Sequence, residues 1–144
     1  MKLIAVRLDD VVVVDANLKD YQPIIADLKA RRARVNLFET GEEAVRTPGA
    51  LPSTLWMVNM RLPDMPGTGY LTLVRRRFRR SSIFLVGDFY DAEDELAARS
   101  AGATAYVCKP ATTAWLDGYS VRALRPATRL PSKARPPVAT TRPP

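Results

Sequence analysis

Leu55-Trp56-Met57-Val58 runs apolar into the amide of Asn59, and the turn Pro63-Asp64-Met65-Pro66-Gly67 follows after Met60-Arg61-Leu62. Val11–Val14 ends likewise in the carboxylate of Asp15, with Ala16 behind it. Ile83–Val86 is followed by Gly87, and Ala105–Cys108 by Lys109-Pro110. A carboxylate at the end of such a run can serve as a nucleophile or as a ligand for a hard cation. A carboxamide is uncharged and its lone pairs are delocalised, so Asn59 cannot act as a nucleophile. Lys109 offers a compact positive charge. The chain has no histidine and one cysteine, Cys108. It therefore lacks the commonest general base and zinc ligand, and histidine-dependent triads, zinc clusters and an internal disulfide are excluded.

Bringing these chain positions together requires short strands joined by helical crossovers, and the apolar pattern supplies them. Val11–Val14 is a β-branched run suited to a strand buried on both faces, and Met1–Leu8 extends it or forms an edge piece. A helix over roughly Lys19–Arg32 follows, capped by Asn17 or Asp20, with Pro23 in its first turn and Ile24, Ile25 and Leu28 inward. Arg34–Glu39 reads as a second strand, Gly41–Val45 as a short helix and Thr47–Ser53 as a loop. Leu55–Met60, Ile83–Val86 and Ala105–Cys108 are the remaining strands. Helices fall at Thr68–Phe78, Asp91–Ala101 and Thr113–Leu124, and Gly102 is a C-terminal cap. Five strand–helix alternations imply a parallel sheet covered on both faces. Residues 1–125 form this domain. From Pro126 to Pro144 six of nineteen residues are proline, a composition expected to be extended and disordered.

The arrangement resembles the receiver domains of bacterial response regulators (CheY-like), over roughly residues 11–124. The residues that carry the resemblance are Val14-Asp15, Gly41-Glu42-Glu43-Ala44, Pro63 and Gly67 at four and eight residues after Asn59, and Ala101-Gly102-Ala103 leading to Tyr106 and Lys109-Pro110. It implies a flavodoxin-like, doubly wound (βα)5 fold with function at the carboxyl ends of the strands. In that family two adjacent acids and an acceptor aspartate hold magnesium. A Thr or Ser after the fourth strand and a lysine after the fifth meet the phosphoryl group, and an aromatic on the fifth strand swings between exposed and buried positions. Here the acidic pair is Asp15-Ala16, the acceptor position is Asn59 and the hydroxyl position is Gly87. Lys109 is kept, with Pro110 after it across a bond often cis in the family, and Tyr106 is the aromatic. Reading Asp9-Asp10 as the acidic pair instead would restore a metal site but lengthen the stretch to Gly41 by six residues, so Asp15 is preferred. Asp64 reads as a structural turn residue.

The resemblance therefore implies a degenerate receiver with no phosphorylation, no magnesium site and no enzymatic activity. Lys109 is expected to pair with Asp15, beside the Asn59 amide, and Tyr106 to be held in one rotamer. Its partner is expected to be a signalling protein — a histidine kinase, another regulator or an effector — bound through the fourth helix, fifth strand and fifth helix, with a homodimer as a variant. The expected location is the cytoplasm, since no signal peptide or membrane span is apparent.

Charge offers a second reading. The net charge is +7, yet residues 1–121 carry sixteen basic against fifteen acidic residues, so the excess lies in Arg122, Arg125, Arg129, Lys133, Arg135 and Arg142. Arg75, Arg76, Arg77, Arg79 and Arg80 flank Phe78 at a helix end, where cations suit the dipole. Together with the tail they form a candidate anion-binding or nucleic-acid patch, the less favoured reading. The proline-rich tail could also dock as polyproline II or act only as a solubilising extension. Asp88, Asp91, Glu93, Asp94 and Glu95 read as a solvated helix start. A working receiver with its acidic site elsewhere is the third reading.

Overall fold

The computed structural model describes residues 9–46 and 54–117, and those up to Trp115 fall in one compact unit. Five strands, β1 (Asp10–Val14), β2 (Arg34–Phe38), β3 (Leu55–Asn59), β4 (Ser82–Gly87) and β5 (Ala105–Cys108), form one sheet in the order β2-β1-β3-β4-β5. Every pairing is parallel. The crossovers are α1 (Gln22–Ala30), α2 (Gly41–Val45), α3 (Gly67–Arg77) and α4 (Ala92–Ala101). A further helix opens at residues 114–117. This is the flavodoxin-like architecture expected from the alternation of strands and helices.

Strand composition follows burial. Val11–Val14 and Leu55–Val58 lie inside the sheet, where both faces are covered, so each is continuously apolar rather than alternating. Val12, Val14, Trp56, Val58, Ile83 and Leu85 share one core cluster with Tyr70, Leu71 and Val74 of α3 and Ala98 of α4. Val11, Val13, Leu55, Met57 and Phe84 are also buried and by strand alternation face the other way.

Local chemistry sets the element ends. The side chain of Asp91 accepts from the N–H groups of Glu93 and Asp94 and caps α4, whose other end closes on Gly102 at φ 96°. Two details differ from expectation. The helix expected over Lys19–Arg32 is split into a 3-10 turn, Leu18–Tyr21, and α1, because Pro23 fits only within the first turn of a helix. Neither candidate cap works as one: the side chain of Asn17 makes no capping bond, and that of Asp20 turns to Lys109. The expected elements in Met1–Leu8 and Thr47–Ser53, most of the last helix and the 126–144 tail lie outside the described residues.

Candidate functional site

In a sheet of this order, the crevice for ligands opens where the winding reverses, between β1 and β3 at their carboxyl ends. Asp15 follows β1 and Asn59 ends β3 at that crevice. A tight corner carries the chain away from Asn59. The N–H of Gly67 donates to Met60 O at 2.8 Å, and a Cβ on Gly67 would stand 2.2 Å from the carbonyl oxygen of Asn59. Only glycine permits that approach. Asp64 accepts from the N–H groups of Gly41 and Glu42, both at 2.9 Å, and so ties the turn to the start of α2. Those two bonds hold its carboxyl below the usual range.

The buried carboxylate of Asp15 is saturated. Its Oδ1 accepts from the N–H of Asn17 at 2.8 Å. Its Oδ2 accepts from Tyr21 Oη at 2.8 Å, Asn59 Nδ2 at 2.9 Å and Lys109 Nζ at 3.0 Å. Asn59 is buried too and uses both ends of its amide. Nδ2 also donates to Asp88 Oδ1 at 3.0 Å, while Oδ1 accepts from the N–H of Arg61 at 2.8 Å.

Lys109 completes the cluster. Its ammonium lies 2.8 Å from Asp20 Oδ2, 3.0 Å from Asp15 Oδ2 and 3.0 Å from Asp88 Oδ1. An ammonium has three protons, and here three carboxylates receive them. The Tyr21 ring lies 5.5 Å from Nζ. Burial acts to lower the lysine pKa, but the bonds to Asp20, Asp15 and Asp88 outweigh it and the net direction is upward. Asp88 is held below the ordinary carboxyl range, first by its bond from Lys109. Tyr21 is pushed well above the ordinary phenol value by burial and then by the charge of Asp15. The Lys109-Pro110 bond is cis.

Gly87 and Tyr106 form a second relationship nearby. The Tyr106 hydroxyl accepts from the N–H of Asp91 at 3.2 Å and donates to Phe89 O at 3.4 Å. A Cβ on Gly87 would meet that hydroxyl at 2.6 Å and Phe89 O at 2.8 Å. The tyrosine thus stands in space that any side chain at 87 would claim. Its ring makes an edge contact with Tyr90.

Of the residues singled out from sequence, Asp15, Asn59 and Lys109 are brought into one bonded cluster. Ala16 is exposed and supplies no polar side chain. Sequence reasoning missed Asp20, Tyr21 and Asp88 as members. Asp88 directly follows β4, whose register runs level with β3 to Asn59, and that placement was the available signal. The arginines separate into two roles. Arg75 is half-buried and donates to the carbonyls of Ser81, of Arg79 at 3.4 Å and of Gly102 at 2.8 Å. Arg76, Arg77, Arg79 and Arg80 are exposed, at the edge of the sheet where β4 begins.

Comparison with solved structures places this fold among receiver domains. The response regulator DrrB, a Thermotoga maritima OmpR/PhoB homolog, is 25% identical with a TM-score of 0.69, over 81% of this chain and 52% of that one. The chain thus spans about half the length of that protein. The BeF3-activated DrrB receiver domain alone is 24% identical, with a TM-score of 0.70 over 81% of this chain and 97% of that one. The chemotaxis response regulator CheY4 of Vibrio cholerae is 18% identical, with a TM-score of 0.68 over 82% of this chain and 99% of that one. At the sequence level the chain matches no family model and no curated protein.

Proposed function

We propose that this chain is a receiver-type signalling domain that does not use aspartyl phosphorylation and acts by binding another signalling protein. The observation that carries this reading is the closed bonding of Asp15, Asn59, Asp88 and Lys109. A phosphoryl acceptor needs a nucleophilic oxygen. The Asn59 side chain is an amide whose oxygen is occupied by the N–H of Arg61 and whose nitrogen faces two acids. A magnesium ion needs several free oxygen ligands in octahedral array. Asp15 Oδ2 already accepts three donors, one of them the Lys109 ammonium. The donor set does not fit the ion.

Output then depends on surface. Phe89 and Tyr90 just before α4 and Leu96 within it are exposed, at 71%, 62% and 66% of their full areas. The Arg61–Asp94 pair, bidentate at 2.7 and 3.2 Å, ties the segment after Asn59 to that helix. Among the described residues the partner face is α4 with β5, and a histidine kinase, another regulator, an effector or a second copy is the class of occupant.

Magnesium and beryllofluoride titration, followed by amide chemical shifts, tests the reading. The expected result is no saturable shift at Asp15, Asn59, Gly87 or Lys109. A magnesium-dependent, saturable response there would overturn it and restore a phosphorylated switch.

A further inference from the structure

Charge is divided between the two ends of β4. From Gly67 to Gly87 the chain carries no acidic residue, and from Asp88 to Glu95 it carries no basic one. The helix α3 ends just before β4 begins, and α4 starts just after β4 ends. The strand has six residues, so the two sets stand about 20 Å apart at about 3.3 Å per residue. At the first end Arg76, Arg79 and Arg80 are exposed and form no ion pair among the described residues. At the second end Arg61, Arg99 and Lys109 meet Asp94, Glu95 and Asp88. Asp91 and Glu93 are left in no ion pair among the described residues. Phe89 and Leu96 are exposed in the same stretch, and nothing among the described residues covers either side chain.

We infer that the exposed face at the start of α4 binds the arginine-rich end of α3 of a second copy, in a head-to-tail contact. Arginine is the side chain such a face takes best, because a guanidinium can lie on an aromatic ring while its N–H groups bond a neighbouring carboxylate. Phe89 beside Asp91 and Glu93 offers both. Each copy carries both halves, yet they cannot answer each other within one copy. Their separation is about twice the screening length of about 10 Å at 0.1 M salt. A symmetric pairing of two α4 faces would set acids against acids, and like charges across an interface are costly. The contact is therefore heterologous, and repeating it builds open chains or rings rather than a closed pair. Long-range repulsion opposes it little, since residues 1–121 hold sixteen basic against fifteen acidic residues. The inference rests on the α4 face being the partner surface, as proposed above, and not on the loss of phosphorylation.

Sedimentation of the full chain and of two variants tests it. One variant breaks the face (Phe89→Ser, Glu93→Gln and Leu96→Gln), and the other breaks the arginine end (Arg76→Ala, Arg79→Ala and Arg80→Ala). The parent is expected to gain mass with concentration and to lose association about tenfold as salt rises from about 50 to about 500 mM. Either variant alone should associate at least tenfold more weakly. Mixed in equal amounts they should form a one-to-one pair that grows no further, because one supplies an intact arginine end and the other an intact face. A mixture no heavier than its separate parts would exclude a head-to-tail contact and overturn the inference. Association undiminished in the arginine variant would assign the charge to residues 122–144 and overturn it too. A parent that stays monomeric at about millimolar concentration and low salt would overturn it while leaving the α4 face open to a different partner. A magnesium response at Asn59 with self-association intact would overturn the proposed function and leave this contact standing.

Discussion

The ammonium of Lys109 stands 3.0 Å from Asp15 Oδ2, and the two side chains keep only 10% and 2% of their exposure. Two charges so withdrawn from water are tolerable only together, because removing one leaves the other buried and uncompensated. Lys109→Met should therefore destabilise the domain by ~3–5 kcal/mol, read as a lowered urea midpoint. Asp15→Asn should cost less, since Asp20 and Asp88 still hold the ammonium. Equal, small effects of both changes would show that the pair is solvated and does not lock the site.

Asn59→Asp asks whether the site is one residue away from cation binding. The change replaces an N–H group that bridges Asp15 and Asp88 with a fourth carboxylate beside those of Asp15, Asp20 and Asp88. Loss of those donors alone should lower stability by ~1–3 kcal/mol, and like-charge repulsion adds to it. Millimolar magnesium should then restore the melting temperature of the variant, by preferential binding to the folded state, and leave the parent unmoved. A variant indifferent to magnesium would mean that Lys109 blocks the cation even when the acid is returned.

Much of the architecture was legible in the sequence, because a strand buried on both faces must be continuously apolar, as Val11–Val14 and Leu55–Val58 are. β5 was readable to the residue, and Gly102 marked the end of α4. The split of the first helix at Pro23 was less readable, since proline suits both a first turn and a break. Within the site, Asp15 and Lys109 stood out because each directly follows an apolar strand. Asp20 and Asp88 did not, because acids near helix starts usually serve as caps, and Asp20 lies 89 residues from Lys109. Tyr21 carried no signal at all: its hydroxyl is polar only in its bond to Asp15, and the pattern shows just an aromatic at the end of a turn.

Gly87 and Tyr106 compete for one space. Introducing threonine at 87 places a Cβ where the Tyr106 hydroxyl now lies, 2.6 Å away. The ring should turn outward, breaking its bonds to the Asp91 N–H and Phe89 O and its edge contact with Tyr90. A shift of the Asp91 amide and loss of Tyr106–Tyr90 ring cross-peaks would register the movement. Stability should fall by ~1–3 kcal/mol as packing is disturbed. Unchanged cross-peaks in Gly87→Thr would show that the backbone yields instead of the ring.

Acid and alkali should attack the same cluster from opposite sides. Asp88 has a folded pKa below its unfolded value, about 3.9, so its contribution is present above that pH and fades as pH falls through the folded value. Lys109 has a folded pKa above the ordinary lysine value, about 10.4, so its contribution is intact below that pH and is lost on raising it further. Tyr21 acts in the same sense from about pH 10 upward, because the unfolded phenol ionises while the buried one does not. Urea midpoints across the pH range should show both limbs. Tyr21→Phe should lower the plateau and flatten the alkaline limb, whereas an unaltered alkaline slope would remove Tyr21 from the account.

Arg75 decides whether the arginine-rich end of α3 is one patch or two kinds of residue. Its guanidinium joins the end of α3 to the carbonyls of Ser81 and Gly102, and so to the start of β4 and the end of α4. Burial lowers its pKa, as expected of a cation that meets carbonyl dipoles and no carboxylate. Arg75→Ala would leave those carbonyls without the donor and should destabilise by ~1–3 kcal/mol. Lysine at 75 should rescue little, because one ammonium cannot span carbonyls that the guanidinium reaches with two nitrogens. Arg76→Ala, Arg79→Ala and Arg80→Ala, on exposed side chains, should leave the unfolding free energy within about 0.5 kcal/mol of the parent. If the patch also binds polyanions, these three changes should weaken heparin retention and reduce its salt dependence. Retention unchanged by all three, at low salt, would assign their charge to the dipole of α3 and end the polyanion reading.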